Sequence, residues 1–147
     1  MQPSIILTKT FSCKLYNITG FNDFHYFSNQ INLNDETNAA NVRFIYTDLQ
    51  NCFYITINDK YISYTDNTIT LVTDYKDASI IKLILSNINN DLQYIYDNGI
   101  LFGLVIYPNI EPAKFLSLNL LKDGISNNLN FVISDYFTYK YLRWKIV

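Results

Sequence analysis

Glycine and proline are scarce in this 147-residue chain, at four and three residues. There is no G-x-x-x-x-G-K-[ST] or G-x-G-x-x-G run, so a glycine-rich cradle for a nucleotide phosphate is excluded. Alanine is as rare, with four residues, which removes the strongest helix former from the composition. Histidine occurs once, at His25, and cysteine twice, at Cys13 and Cys52. These cannot supply the four clustered N or S ligands of a common zinc site. Two cysteines are also too few for a small disulfide scaffold. No metal or cofactor is expected, and two free thiols are the expected state, although one Cys13–Cys52 bridge stays open at this point.

Charge of one sign is missing too. Eleven Lys and Arg stand against thirteen Asp and Glu, which rules out a basic nucleic-acid footprint. Charged residues make up 16% of the chain and hydrophobic ones 49%, a composition unlike that of a disordered chain. Long apolar runs are absent as well. The most apolar stretch, residues 99–110, is interrupted by Gly103 and Pro108, whereas a membrane-spanning helix needs roughly 20 residues. Residues 1–10 carry no charged segment ahead of their short apolar run. No classical signal peptide is expected there.

What the chain does have is isoleucine, asparagine and aromatics: 20 Ile, 19 Asn, 13 Tyr and 10 Phe. Ile, Tyr and Phe suit pleated, half-buried surfaces, so an all-β protein is expected. Strand-like runs occur at 52–57, 60–64, 68–72 and 80–85, with Asn58-Asp59 and Asp66-Asn67 between the first three. Asn and Asp tolerate positive φ, and such pairs between alternating runs signal hairpins.

Three tetrapeptides repeat a pattern: His25-Tyr-Phe-Ser28, Lys60-Tyr-Ile-Ser63 and Lys114-Phe-Leu-Ser117. Upstream of them stand Cys13-Lys-Leu-Tyr-Asn-Ile18, Cys52-Phe-Tyr-Ile-Thr-Ile57 and Leu92-Gln-Tyr-Ile-Tyr-Asp97. Downstream stand Val42-Arg-Phe-Ile45, Ile81-Lys-Leu-Ile84 and Leu142-Arg-Trp-Lys-Ile146. The markers recur three times in one order, with about four strands per unit. That pattern predicts a single β-trefoil domain over 1–147, with lobes of roughly 8–50, 51–90 and 91–147. No unit buries its apolar face alone, and three around a pseudo-threefold axis share one core. Phe44, Leu83 and Trp144 are expected to be equivalent core positions. Residues 119–130 read as an enlarged loop of the third lobe.

From Asn38-Ala-Ala-Asn-Val-Arg-Phe44 through Cys52-Phe-Tyr-Ile to Lys60-Tyr-Ile-Ser-Tyr, over about residues 38–85, the chain resembles a known group. It is similar to the small haemagglutinin component of clostridial botulinum toxin complexes, a ricin-B-type β-trefoil; the C-terminal third is similar in pattern alone. The resemblance implies a secreted, non-enzymatic adaptor or lectin-like subunit without a classical signal peptide. Such a subunit links larger haemagglutinin or toxin-complex subunits and aids attachment to host glycans. Ricin-type lobes end in Gln-x-Trp, but here the triplets are Val42-Arg43-Phe44, Ile81-Lys82-Leu83 and Leu142-Arg143-Trp144. Gln is missing from all three, which favours adaptor over lectin. An independent carbohydrate-binding trefoil is the alternative. A trefoil protease inhibitor, acting through the 119–130 loop, is a more distant one.

Catalytic constellations are not found. Asp23 and His25 share a strand face, but no partnered Ser or Cys nucleophile accompanies them. Carbohydrate sites need an aromatic face for the C–H side of a hexose and Asp or Asn for its hydroxyls. Three clusters have that character: Asp59 with Tyr61 and Tyr64, Asp97 with Asn98, and Asp23 with His25. The apolar segment 100–107 is a further candidate, as part of a protein-docking surface.

Overall fold

A computed structural model describes residues 9–21, 23–85, 101–108, 113–121, 124–133 and 144–146. The described residues form thirteen strands and no α-helix. The first unit holds β1 (Phe11–Cys13), β2 (Leu15–Phe21), β3 (Phe24–Phe27), β4 (Leu33–Asn34) and β5 (Val42–Tyr46). Next come β6 (Cys52–Ile57), β7 (Lys60–Thr65), β8 (Thr68–Val72) and β9 (Ile80–Leu85). The last are β10 (Leu101–Tyr107), β11 (Lys114–Leu121), β12 (Gly124–Ile133) and β13 (Trp144–Ile146). The four strands expected between residues 52 and 85 are all present. The protein is therefore all-β, and its strands pair antiparallel.

The pairing path runs β1-β5-β6-β9-β10-β13-β2-β3-β4, with β7–β8 branching from β6 and β11–β12 from β10. Turn chemistry sets the hairpins. Asn58 and Asp59 have φ of 51° and 68°, and Asp66 and Asn67 have 53° and 61°. Positive φ at both central positions marks the type I′ form of the two-residue hairpin turn, and Asn and Asp supply it at little steric cost.

Period-2 alternation points Val42 and Phe44 of β5, and Phe53, Ile55 and Ile57 of β6, into one core. Phe44, Leu83 and Trp144 are fully buried there, as their repeat positions predict. Phe44 meets Phe53 and Phe102 edge-on, with ring centroids 5.5 and 6.4 Å apart. The three tetrapeptides also behave alike. Phe27, Ile62 and Leu116 are each 1% exposed, and the serine after each is buried.

One expectation is corrected. Residues 119–121 and 124–130 are strand, not an enlarged loop. Leu118 faces Leu129, Leu120 faces Ile125 and Leu121 faces Gly124 in a long β11–β12 hairpin. Asparagine misled there: it marks turns elsewhere in the chain, but here Asn130 lies in register opposite Ser117. Among the described residues of that stretch, a loop of the expected extent is therefore absent. The apolar segment offered as part of a docking surface supplies β10 (Leu101–Tyr107), which pairs with β9, β11 and β13. Phe102, Leu104 and Val105 are buried. Among the described residues no helix is long and apolar enough to cross a membrane.

Candidate functional site

Because Val42 and Phe44 point inward, Arg43 between them points outward and is exposed. Register then fixes its neighbours. Ser12 lies opposite Arg43 on β1, and Thr56 lies opposite it on β6. Thr56 in turn faces Tyr61 on β7. Directly opposed residues share a sheet face, so Ser12, Arg43, Thr56 and Tyr61 form one transverse row. One register step beyond Arg43–Thr56 lies Val42–Ile57, and the strands then end at Asn41 and the Asn58-Asp59 turn.

This geometry borders an open surface cavity of about 300 Å³ lined by Ser12, Asn41, Arg43, Thr56, Asn58 and Asp59, with Val42 at its wall. Among the described residues, no hydrogen bond or ion pair engages the side chains of Arg43, Thr56 or Asp59. Thr56 is 5% exposed. Its hydroxyl keeps contact with the water of the cleft rather than being sealed off from it. The cavity therefore holds one cation, one carboxylate, two hydroxyls and two amides on a fixed frame.

An aromatic row adjoins it. Tyr61 meets Tyr54 edge-on at 6.1 Å, and Tyr54 meets Tyr75 at 6.0 Å. Tyr54 stands two residues before Thr56 and so shares its face. Tyr75 is 51% exposed at the outer end of the row. Polar groups for hydroxyls thus adjoin tyrosine rings, the combination that suits a sugar.

The structure separates the residues of the first expected cluster. Asp59 lines the cavity and Tyr61 stands in the adjoining row, but Tyr64 is on the opposite face of β7, because three is an odd step in a period of two. Its ring packs on Phe131 at 5.2 Å, and its hydroxyl donates to Asn67 Oδ1 at 3.3 Å. Lys114 Nζ donates to the same oxygen at 3.2 Å, and Asn130 Nδ2 donates to the Asn67 carbonyl at 2.9 Å. Tyr64 thus belongs to a clamp between the β7–β8 and β11–β12 hairpins.

Asp23 is exposed at the start of the β3 hairpin. His25 Nδ1 donates to the Asn17 carbonyl at 2.9 Å, and its ring stacks on Tyr16 at 4.6 Å. Lys145 Nζ lies 4.7 Å from the centre of the same Tyr16 ring. The carbonyl can only accept, so Nδ1 carries the proton and is not oriented by Asp23. Asp97 and Asn98 lie outside the described residues.

The thiols are free, Cys13 half-buried and Cys52 buried. Burial pushes the Cys13 thiol up to about 12. It raises Cys52 as well, with Lys82 opposite it in register acting the other way. Both therefore stay protonated and weakly nucleophilic at neutral pH. Burial raises Tyr26 too, helped by the charge of Glu36 and by Tyr16. Among the described residues no three His, Cys, Asp or Glu side chains cluster as metal ligands.

Sequence reasoning missed Arg43, Thr56, Ser12, Asn41, Asn58 and Tyr54 as site residues. One signal was available: a cation between two strongly apolar strand residues must face away from the core. The partners of that cation depend on cross-strand register, which a single sequence does not display. Compared with known proteins, the chain matches no protein-family model, no curated protein and no solved structure.

Proposed function

We propose that this protein is a non-enzymatic, lectin-like binding module of β-trefoil form, and that it takes a carbohydrate in the Arg43–Asp59 cavity. The observation that carries the reading is the convergence of unpartnered polar side chains beside Tyr61. A sugar would stack its C–H side on the tyrosine and direct hydroxyls to Asp59, Thr56, Ser12 and the two asparagines. Fixed polar groups that a sugar satisfies, and water satisfies less completely, supply selectivity.

Strand order supports the trefoil. The strands group as β2 to β5, β6 to β9 and β10 to β13, and the pairing path alternates between the last strand of one group and the first of the next. The two inner strands of each group branch from it as a hairpin or hairpin-like pair. Lys14 alone separates β1, which pairs with β5, from β2, which pairs with β13. The seven-strand path from β1 to β2 therefore begins and ends on strands that are neighbours in the chain, an arrangement compatible with a closed barrel.

A second reading is the adaptor role in a secreted, toxin-associated haemagglutinin complex that attaches to host glycans. The Tyr54–Tyr75 end of the aromatic row favours it, since interface cores are rich in tyrosine and poor in charge. The lectin reading stands first because exposed apolar surface is sparse. Phe24, Leu49 and Tyr75 are the large hydrophobics exposed among the described residues.

The test is a glycan array followed by titration of the best glycan. Asp59→Ala and Tyr61→Ala should each weaken binding at least tenfold, with folding intact by circular dichroism. An array with no binding, together with tight binding to a co-encoded subunit, would reverse the order of the two readings.

A further inference from the structure

Resting on the reading of this cavity as a sugar site, we propose that its ligand is an acidic sugar: a pyranose whose ring-borne carboxylate sits on Arg43 while its hydroxyls bind Asp59 and Thr56. Arg43 is held in the row between Ser12 and Thr56, two neutral hydroxyl residues. It shares the cavity with Asp59 but makes no ion pair with it among the described residues. A guanidinium has five donors and no acceptor. A neutral sugar seated over it would strip water from a cation without returning a countercharge, which is costly. A carboxylate instead matches its planar fork with two parallel hydrogen bonds.

The other end of the cavity sets orientation. Asn58 and Asp59 lie two and three residues beyond Thr56, fixed by the positive-φ turn. The first step spans about 7 Å at roughly 3.3 Å per strand residue, a length suited to one substituted pyranose ring. Asp59 accepts hydroxyl protons and repels an anion, so the ligand carboxylate is driven to the Arg43 end. Tyr61, opposite Thr56 in register, stands beside the cavity, where its ring would meet the C–H side of the sugar. A phosphate dianion fits less well, because a single cation would face two ligand charges with Asp59 nearby.

The experiment titrates the whole protein with the methyl glycosides of glucuronic acid, N-acetylneuraminic acid and glucose, by calorimetry or ligand-observed NMR. At least one acidic glycoside should bind ten or more times more tightly than methyl glucoside, and the comparison between the two acids identifies the source of the carboxylate. Added salt should shrink the preference. In Arg43→Gln the acid-to-neutral ratio should collapse towards one, and Arg43→Lys should restore part of it; circular dichroism checks that both variants fold. Equal binding of methyl glucoside and the acids overturns the acidic preference while leaving the sugar site standing. Absence of binding by all three glycosides overturns both.

Discussion

Trp144 of β13 donates its indole N–H to the backbone carbonyl of Leu116 on β11, at 3.1 Å. The bond joins the last described strand to the tetrapeptide strand of the same expected lobe, and Trp144 is fully buried. Trp144→Ala should therefore cost roughly 3–5 kcal/mol, the usual range for emptying a large aromatic site. Trp144→Phe should cost less, because it keeps most of the apolar contact and loses the hydrogen bond. Urea unfolding measures both, and a loss under about 1 kcal/mol for the alanine variant would contradict a core role.

Much of the fold was legible because its signals are local. Phe44, Leu83 and Trp144 were marked by triplet position, and the hairpins at Asn58-Asp59 and Asp66-Asn67 by residues that accept positive φ. The same reading of asparagine failed at 119–130, where pairing between β11 and β12 overrides its turn preference. The candidate site was half legible. Asp59 and Tyr61 were identified, yet Tyr64 was grouped with them despite its odd spacing along β7. Arg43 and Thr56 meet through pairing between β5 and β6, and that register follows from packing along the whole sheet face.

The two tyrosines of β7 should part company experimentally. Tyr64→Ala should lower stability by about 1–3 kcal/mol, through lost contact with Phe131 and the Asn67 clamp. Tyr61→Ala should change stability less and weaken sugar binding more. Paired thermal melts and glycan titrations distinguish them, and the opposite pattern would place the ligand on the other face.

Asn67 has two separable roles, a left-handed backbone (φ 61°) and an amide oxygen shared by Tyr64 and Lys114. Asn67→Ala forfeits both and should cost about 1–2 kcal/mol, since a Cβ without a local hydrogen bond disfavours this conformation. Asn67→Gly keeps the backbone and should cost less. Equal losses in thermal denaturation would show that backbone conformation contributes nothing there.

Cys13 should make stability fall in alkali. Its thiol lies at about 12 in the folded protein against an ordinary value of 9.0. Below about pH 9 both states are protonated and nothing is lost. Between roughly 9 and 12 the unfolded chain releases the proton and the folded one keeps it. Stability then declines by at most about 1.4 kcal/mol per pH unit. Denaturant titrations from pH 8 to 11 on the wild type and Cys13→Ala should show a shallower decline in the variant. Identical slopes would mean that Cys13 ionises as freely in the folded chain as in the unfolded one.

The central claim is that Arg43, Thr56, Asp59 and Tyr61 bound one ligand site. It is tested most directly by two-dimensional NMR of labelled protein titrated with the strongest glycan from the array. The account predicts concerted, saturable shifts at Ser12, Arg43, Thr56, Asp59 and Tyr61, with Tyr64 and His25 unmoved. Saturable shifts centred on Tyr16 and His25, with the Arg43 row silent, would contradict it.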